Sequence, residues 1–253
     1  MFSFCSSIGF MQYAFDFRGE REMDRLLVTL RRAFPLSPGD WPRVEPVAQL
    51  AKSILSTRTY DRDARQAFRD LVEHFPRWAD IAEAEPRDIE RVIEAVSFPM
   101  VKAKQLKAAM AAVRRRQPDF DLSCLGRLPL PEALAWLEQL DGVGRKIAAS
   151  VLNFSTLRRP TFVVDAHVLR VLCRLGHVDR NANTYDAYDF VMATTQDWTA
   201  QDYTELHVLL KMLGQKVCRE DRPSCHACAM AHHCARIDAP ADMRQRRAEL
   251  APA

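Results

Sequence analysis

The sequence predicts an all-α protein, and three observations carry that expectation. Apolar residues recur at helical spacings along almost the whole chain, glycine is scarce at 8 of 253 residues, and proline falls mostly between the periodic segments. No alternating strand pattern competes, and no internal repeat or low-complexity tract is visible. A chain with 48% hydrophobic residues and this length can bury one large core or two modest ones. No apolar run approaches the roughly 20 residues that span a bilayer, so no membrane partner is expected.

In chain order, residues 1–15 are apolar but have no basic residue before Arg18 and no small-residue cleavage pattern, which argues against a secretory signal and for an intracellular protein. Met11 and Met23 are alternative starts, so residues 1–19 are read as an extension without assigned function, either disordered or an artefact of the chosen start. Val47, Leu50, Ala51, Ile54 and Leu55 follow i, i+3, i+4, i+7, i+8 and form one buried stripe. Ala64, Phe68, Leu71, Val72 and Phe75 form a second, and further helices are expected near 88–96, 102–116, 131–140, 145–156 and 165–175. The net charge of +3 says little about partners, but Lys102, Lys104, Lys107, Arg114, Arg115 and Arg116 follow one another without an acidic residue. That run is either a phosphate-facing surface or a solvated helix face. The Ala/Pro/Arg-rich stretch 239–253 is expected to fray as a tail.

The segment from Pro131 to Phe154 reads as helix, tight turn, helix, with Pro131 in a first turn and Leu134, Leu137 and Leu140 on one face. Asp141-Gly142-Val143-Gly144 forms the turn, and the helix after it begins with free N–H groups. Gly142, Val143, Gly144 and Arg145 are therefore candidates to hold a phosphate, although an ordinary helix connection has the same appearance. Lys146 follows at once. Arg145 and the positive helix end both disfavour its charged form, and a neutral amine is a nucleophile able to form a Schiff base with a sugar carbon. Asp165 lies nineteen residues on, between the apolar Val163-Val164 and the periodic Val168, Val171, Leu172, Leu175. It is placed to cap a helix and also to stabilise positive charge on a sugar as its base departs. His167 is read as a hydrogen-bonded structural histidine. Cys218, Cys225, Cys228 and Cys234 fall within seventeen residues, unlike the isolated Cys5, Cys124 and Cys173, and read as one metal ligand set. Spacing alone leaves zinc and an iron–sulfur centre both open.

The LDGVGRK hairpin, the later VDAH and the C-x6-C-x2-C-x5-C terminus together resemble endonuclease III and its helix-hairpin-helix glycosylase superfamily, in the family's order and spacing from about Pro46 to Cys234. The resemblance implies two helical lobes with a DNA-binding cleft between them: 43–157 carrying the hairpin, and 20–42 plus 158–238 ending in the cluster loop. It assigns Lys146 as the nucleophile, Asp165 as the essential carboxylate, and the four cysteines as ligands of a [4Fe–4S] cluster; a metal of either kind there is expected to brace the surrounding loop, whose Arg219, Arg222 and Arg236 are candidates to face DNA. The partner it implies is duplex DNA with a damaged base or abasic site, met by a monomer in the cytoplasm, or at the nucleoid of a bacterial cell. Oxidised pyrimidines are the expected lesions, with base removal followed by β-elimination.

Departures from the pattern bear on substrate choice. Arg58 stands where relatives carry a glutamine that enters the space left by the flipped base, so partner-base preference does not carry over. Phe98 stands in the place of a wedge leucine and is read either as that wedge or as a core residue. Lys102 is taken with them as a DNA contact, and Asp141 replaces a common proline. The alternative within enzymes is a mismatch-directed uracil or thymine glycosylase with little or no lyase activity. Outside enzymes it is a non-catalytic DNA-binding protein, which would not need Lys146 paired with Asp165.

Overall fold

The computed structural model describes residues 17–36 and 43–236, with side chains from Glu22 onward, and all regular structure among them is helical. The tail at 239–253 and residues 1–16 of the expected extension lie outside the described residues; the first helix, α1 (Phe17–Ala33), begins inside that extension. Ten more helices follow: α2 (Pro46–Ser56), α3 (Asp61–His74), α4 (Trp78–Glu83), α5 (Pro86–Val92), α6 (Pro99–Arg116), α7 (Leu130–Glu138), α8 (Arg145–Phe154), α9 (Ala166–Leu175), α10 (Thr184–Thr194) and α11 (Ala200–Lys216).

Local chemistry sets most of the starts. Proline occupies a first-turn position in α2, α5, α6 and α7, where its missing N–H costs nothing. Asp165, Asn183 and Thr199 cap α9, α10 and α11 through their side chains, the last two completing capping boxes with Asp186 and Asp202. Gly176 ends α9 at φ +95°, the left-handed geometry that suits glycine.

Helices α2 to α8 pack on one another, with α6 against α4 and α5, α2 against α3 and α8, and α7 against α8. Helices α1, α9, α10 and α11 form a second group, in which α1 lies along α10 and α11. Arg31 of α1 reaches Asp202 and Glu205 of α11, and Asp24 accepts from the Trp198 indole. These surface contacts fix orientation more than they stabilise, at up to about 1 kcal/mol each.

The groups meet where α8 touches α11. There the buried Asn153 amide donates to the carbonyls of Arg159 and Ala200 and accepts from the Thr204 hydroxyl. Arg43 closes the same seam by donating to the carbonyls of Asn153 and Ser155 and to Gln201. A fully satisfied buried network of this kind holds one geometry, because each lost partner would strand a polar group out of water. On the α9 side, a Cβ at Gly214 would come within 3.0 Å of the His167 Cβ, so glycine there lets α11 close onto α9. Ser56 at the end of α2, Asp61 at the start of α3, Lys146 of α8, Asp165 at the head of α9 and Lys211 of α11 come together beside this seam, at the place called the notch below.

Candidate active site

The hairpin between α7 and α8 leads directly into Lys146, which reaches that notch. Gly142 sits at φ +76°, left-handed backbone that favours glycine, and a Cβ there would come to 2.8 Å from the flexible Gln105 amide, which would have to shift. At Gly144 a Cβ would meet nothing within 4 Å, so packing does not require glycine there and the backbone is open to close approach from outside. The amides of Gly144, Arg145 and Lys146 precede the first α-helical hydrogen bond of α8 and have no acceptor among the described residues. Val143 departs from the expectation of a direct contact: its side chain is buried and its N–H already donates to Leu140 O. Arg145 is likewise engaged within the protein, paired with Glu138 at 2.5 Å and lying over the rings of Tyr185 and Tyr188. It fixes the hairpin to α10.

Lys146 turns inward, and its ammonium donates to Ser56 Oγ at the end of α2 (3.2 Å). Burial brings its pKa down to about 8, against an upward pull from Asp165 and Asp61 and with a further push down from Lys211. The expected depression is present, but its cause is burial rather than Arg145, whose charge is held by Glu138.

Asp165 performs its capping role, its Oδ1 accepting from the Val168 N–H at 2.9 Å. Burial pushes its pKa up, yet His207, the Val168 amide, Lys211 and His167 outweigh that and hold it below the usual carboxylate range. The group is thus ionised at neutral pH while the lysine beside it is partly neutral. Environments that separate two titratable groups in this way mark a reactive site.

Three further residues of the notch escaped sequence reasoning. His207 of α11 is buried with Nδ1 2.8 Å from Val163 O, and burial lowers its pKa. Lys211, one turn on, donates to Asp61 Oδ1 at the start of α3 (2.7 Å), joining the two helix groups. Burial raises the Asp61 pKa, but Lys211 and Gln215 carry it net downward. A polar stripe at Thr204, His207, Lys211 and Gln215, spaced i, i+3, i+7, i+11 behind the T-A-Q-D capping box, is the signal that would have found them.

The loop after α2 and the loop before α6 carry Arg58 and Phe98. Arg58 and Phe98 both adopt left-handed backbone, at φ 51° and 57°, and both side chains are exposed. With 61% of its surface accessible, Phe98 is not the core residue that was one of its two readings, and it stands beside the exposed Val101. Lys102 reverses expectation: it is 3% exposed, and its ammonium donates inward to Leu55 O and Thr59 Oγ1. The basic run behind it is largely spent within the protein as well, with Lys107 near Glu85, Arg114 on Glu83 and Arg116 over the Trp136 ring.

On the far side of α9, Cys218, Cys225, Cys228 and Cys234 line a single cavity with Arg174 and Arg236. Burial, with the neighbouring cysteines, raises the Cys228 thiol to about 11. Arg174 Nη1 points to Cys218 Sγ at 3.6 Å, and the buried Nε atoms of Arg174 and Arg236 lack partners among the described residues. Arg236, expected to face DNA, is buried here, whereas Arg219 and Arg222 are exposed. Among the described residues no group of three or more His, Cys, Asp or Glu side chains is drawn together as a single-ion site, and the four cysteines share the lining of that cavity. Arg170 ties this loop to the notch, donating to Cys218 O and Gly214 O and lying 3.0 Å from His167 Nδ1.

The family described as HhH-GPD superfamily base excision DNA repair protein matches residues 51–201. Over 139 residues, 55% of this chain, the sequence is 31% identical to an Arabidopsis thaliana protein provisionally named as a DNA glycosylase, and the match spans only 47% of that protein. It is 25% identical over 197 residues to endonuclease III of Thermotoga maritima, covering 78% of this chain and 86% of that one. In fold it is similar to a non-covalent endonuclease III–DNA complex, with TM-score 0.72, 20% identity, and coverage of 91% of this chain and 98% of that one.

Proposed function

The chain belongs to the HhH-GPD superfamily of base excision DNA repair proteins, and from that premise we propose that it is a bifunctional glycosylase and abasic-site lyase acting on duplex DNA. The observation that carries this reading is Lys146: an amine brought to about pKa 8, beside an ionised Asp165, at the head of a hairpin helix whose first amides have no acceptor among the described residues.

The reaction follows from those residues. The hairpin amides of Gly144 and Arg145 receive a backbone phosphate, and the target nucleotide is turned out into the notch at a cost of a few kcal/mol, least for a damaged or mispaired base. As the bond from the sugar C1′ to the base breaks, the Asp165 carboxylate stabilises the positive charge on the sugar. The neutral Lys146 amine bonds to C1′, the base leaves with the electron pair of the broken bond and takes up a proton, and the amine loses its own proton as the sugar ring opens to a Schiff base. Loss of a C2′ proton then expels the 3′ phosphate. An oxidised pyrimidine is the lesion we assign, on the resemblance to endonuclease III.

The four cysteines fit a [4Fe–4S] cluster. They line one cavity, and burial holds the Cys228 thiol up at about 11 and raises Cys234, so a cationic centre there would favour their thiolate forms. When bound, such a centre braces the loop that carries Arg219 and Arg222. Cys228→Ser is accordingly expected to remove the brown iron–sulfur absorption and lower the melting temperature by about 10 °C or more. A colourless wild-type protein with one zinc per chain would refute the cluster.

The test of the function is borohydride trapping on a duplex with one abasic site. A covalent protein–DNA adduct is the expected result. If protein with an intact cluster forms none, the bifunctional reading is wrong, and excision of uracil or thymine from mismatches without strand cleavage, or binding alone, takes its place.

A further inference from the structure

The buried Lys102 has no part in the reaction steps above, although it lies near enough to Lys146 for the two charges to repel. Its ammonium is held by two neutral acceptors, Leu55 O at 2.7 Å and Thr59 Oγ1, and among the described residues no carboxylate pairs with it. Charge buried without a counter-ion is costly and persists where the surrounding structure uses it.

What it joins is informative. Thr59 Oγ1 also accepts from the Ser97 N–H at 3.1 Å, so one hydroxyl ties the loop after α2 to the loop before α6. Each tied loop presents, one residue from the tie, an exposed side chain on left-handed backbone: Arg58 before Thr59, and Phe98 after Ser97. Such backbone costs roughly 1 kcal/mol or more in a residue other than glycine and needs support. Tyr60, 83% exposed, flanks the same tie.

We propose that Lys102 and Thr59 form a staple that fixes the spacing of Arg58 and Phe98, making the two loops one preformed probe that enters the duplex as a unit. Lys102 is thus a positioning residue for interrogation of duplex DNA, acting through the loops and not through phosphate. The inference rests on the DNA-repair reading above, together with the positions of Arg58 and Phe98 where endonuclease III-like sequences carry a gap-filling glutamine and a wedge leucine. The staple matters when a stacked duplex must be opened and not when the sugar is already accessible in a single strand.

The test uses Lys102→Met and Thr59→Val, with Thr59→Ser as the variant that keeps the hydroxyl. Duplex opening is read from the fluorescence of 2-aminopurine placed opposite a tetrahydrofuran abasic analogue, which cannot form a Schiff base. Reactivity is read as the ratio of borohydride trapping on duplex to that on single-stranded abasic DNA. The expected result is a fluorescence rise with wild type and Thr59→Ser that falls at least about threefold in the other two variants, with the trapping ratio down about tenfold. Wild-type values for both readouts in Lys102→Met and Thr59→Val would overturn the proposal. So would equal losses on single and double strands, which would assign the staple to the nucleophile. Should Lys102→Met not fold, Thr59→Val against Thr59→Ser decides. If wild type forms no adduct at all, the lyase reading fails while the fluorescence arm still judges the staple.

Discussion

Lys146→Gln is expected to abolish the trapped adduct and strand cleavage at abasic sites, a loss of at least about a thousandfold, while affinity for uncleaved duplex stays within a few-fold. Glutamine preserves most of the side chain's length and can still donate to Ser56 Oγ, the acceptor Lys146 uses. What it lacks is an electron pair able to form a Schiff base. The pH profile should carry the same signature. A lysine at its ordinary value of about 10.4 is neutral in only a few molecules in ten thousand at pH 7, whereas one at about 8 is neutral in roughly one of ten. Adduct formation should therefore climb about tenfold per pH unit below 8 and level off above it. Lys211→Met removes a nearby positive charge that favours the neutral amine, so its midpoint should move upward; Asp61→Asn removes a negative charge and should move it down. A profile flat from about pH 6 to 9, or adduct formation that survives Lys146→Gln, would exclude Lys146 as the nucleophile.

Much of the fold was legible because its signals are local. The stripes at Val47–Leu55 and Ala64–Leu71 lie in α2 and α3, and Asp165 caps α9 where the apolar run ends. Helices α10 and α11 were not picked out, because α11 buries Thr204 and His207 among its leucines and so breaks the apolar stripe that periodicity seeks. The site divides in the same way. Lys146 and Asp165 lie in compact sequence motifs, whereas Asp61 meets Lys211 from 150 residues away and only the packing of α8 and α9 on α11 brings them together. Lys102 shows the limit most clearly: a lysine in a basic run has the composition of a surface cation, and its burial depends on where the ends of α2 and α6 cross.

Asp165→Asn separates the carboxylate's two roles, since asparagine caps a helix about as well as aspartate and keeps an oxygen for the Val168 N–H. Stability should change by no more than about 0.5 kcal/mol, whereas Asp165→Ala, which loses the cap, should cost about 1 kcal/mol. Excision of the intact damaged base is nevertheless expected to slow by about a hundred- to thousandfold, because the charge developing at C1′ loses the carboxylate assigned to stabilise it. The effect on a preformed abasic site should be smaller for two reasons. The ring-opened sugar already presents an aldehyde and needs no stabilised cation, and the Asp165 charge raises the Lys146 pKa, so removing it leaves more of the amine neutral. Trapping on abasic DNA should therefore lose less than base excision does, with its pH midpoint displaced downward. Equal losses on both substrates, with an unmoved midpoint, would mean that Asp165 acts through the architecture of α9 and not through its charge.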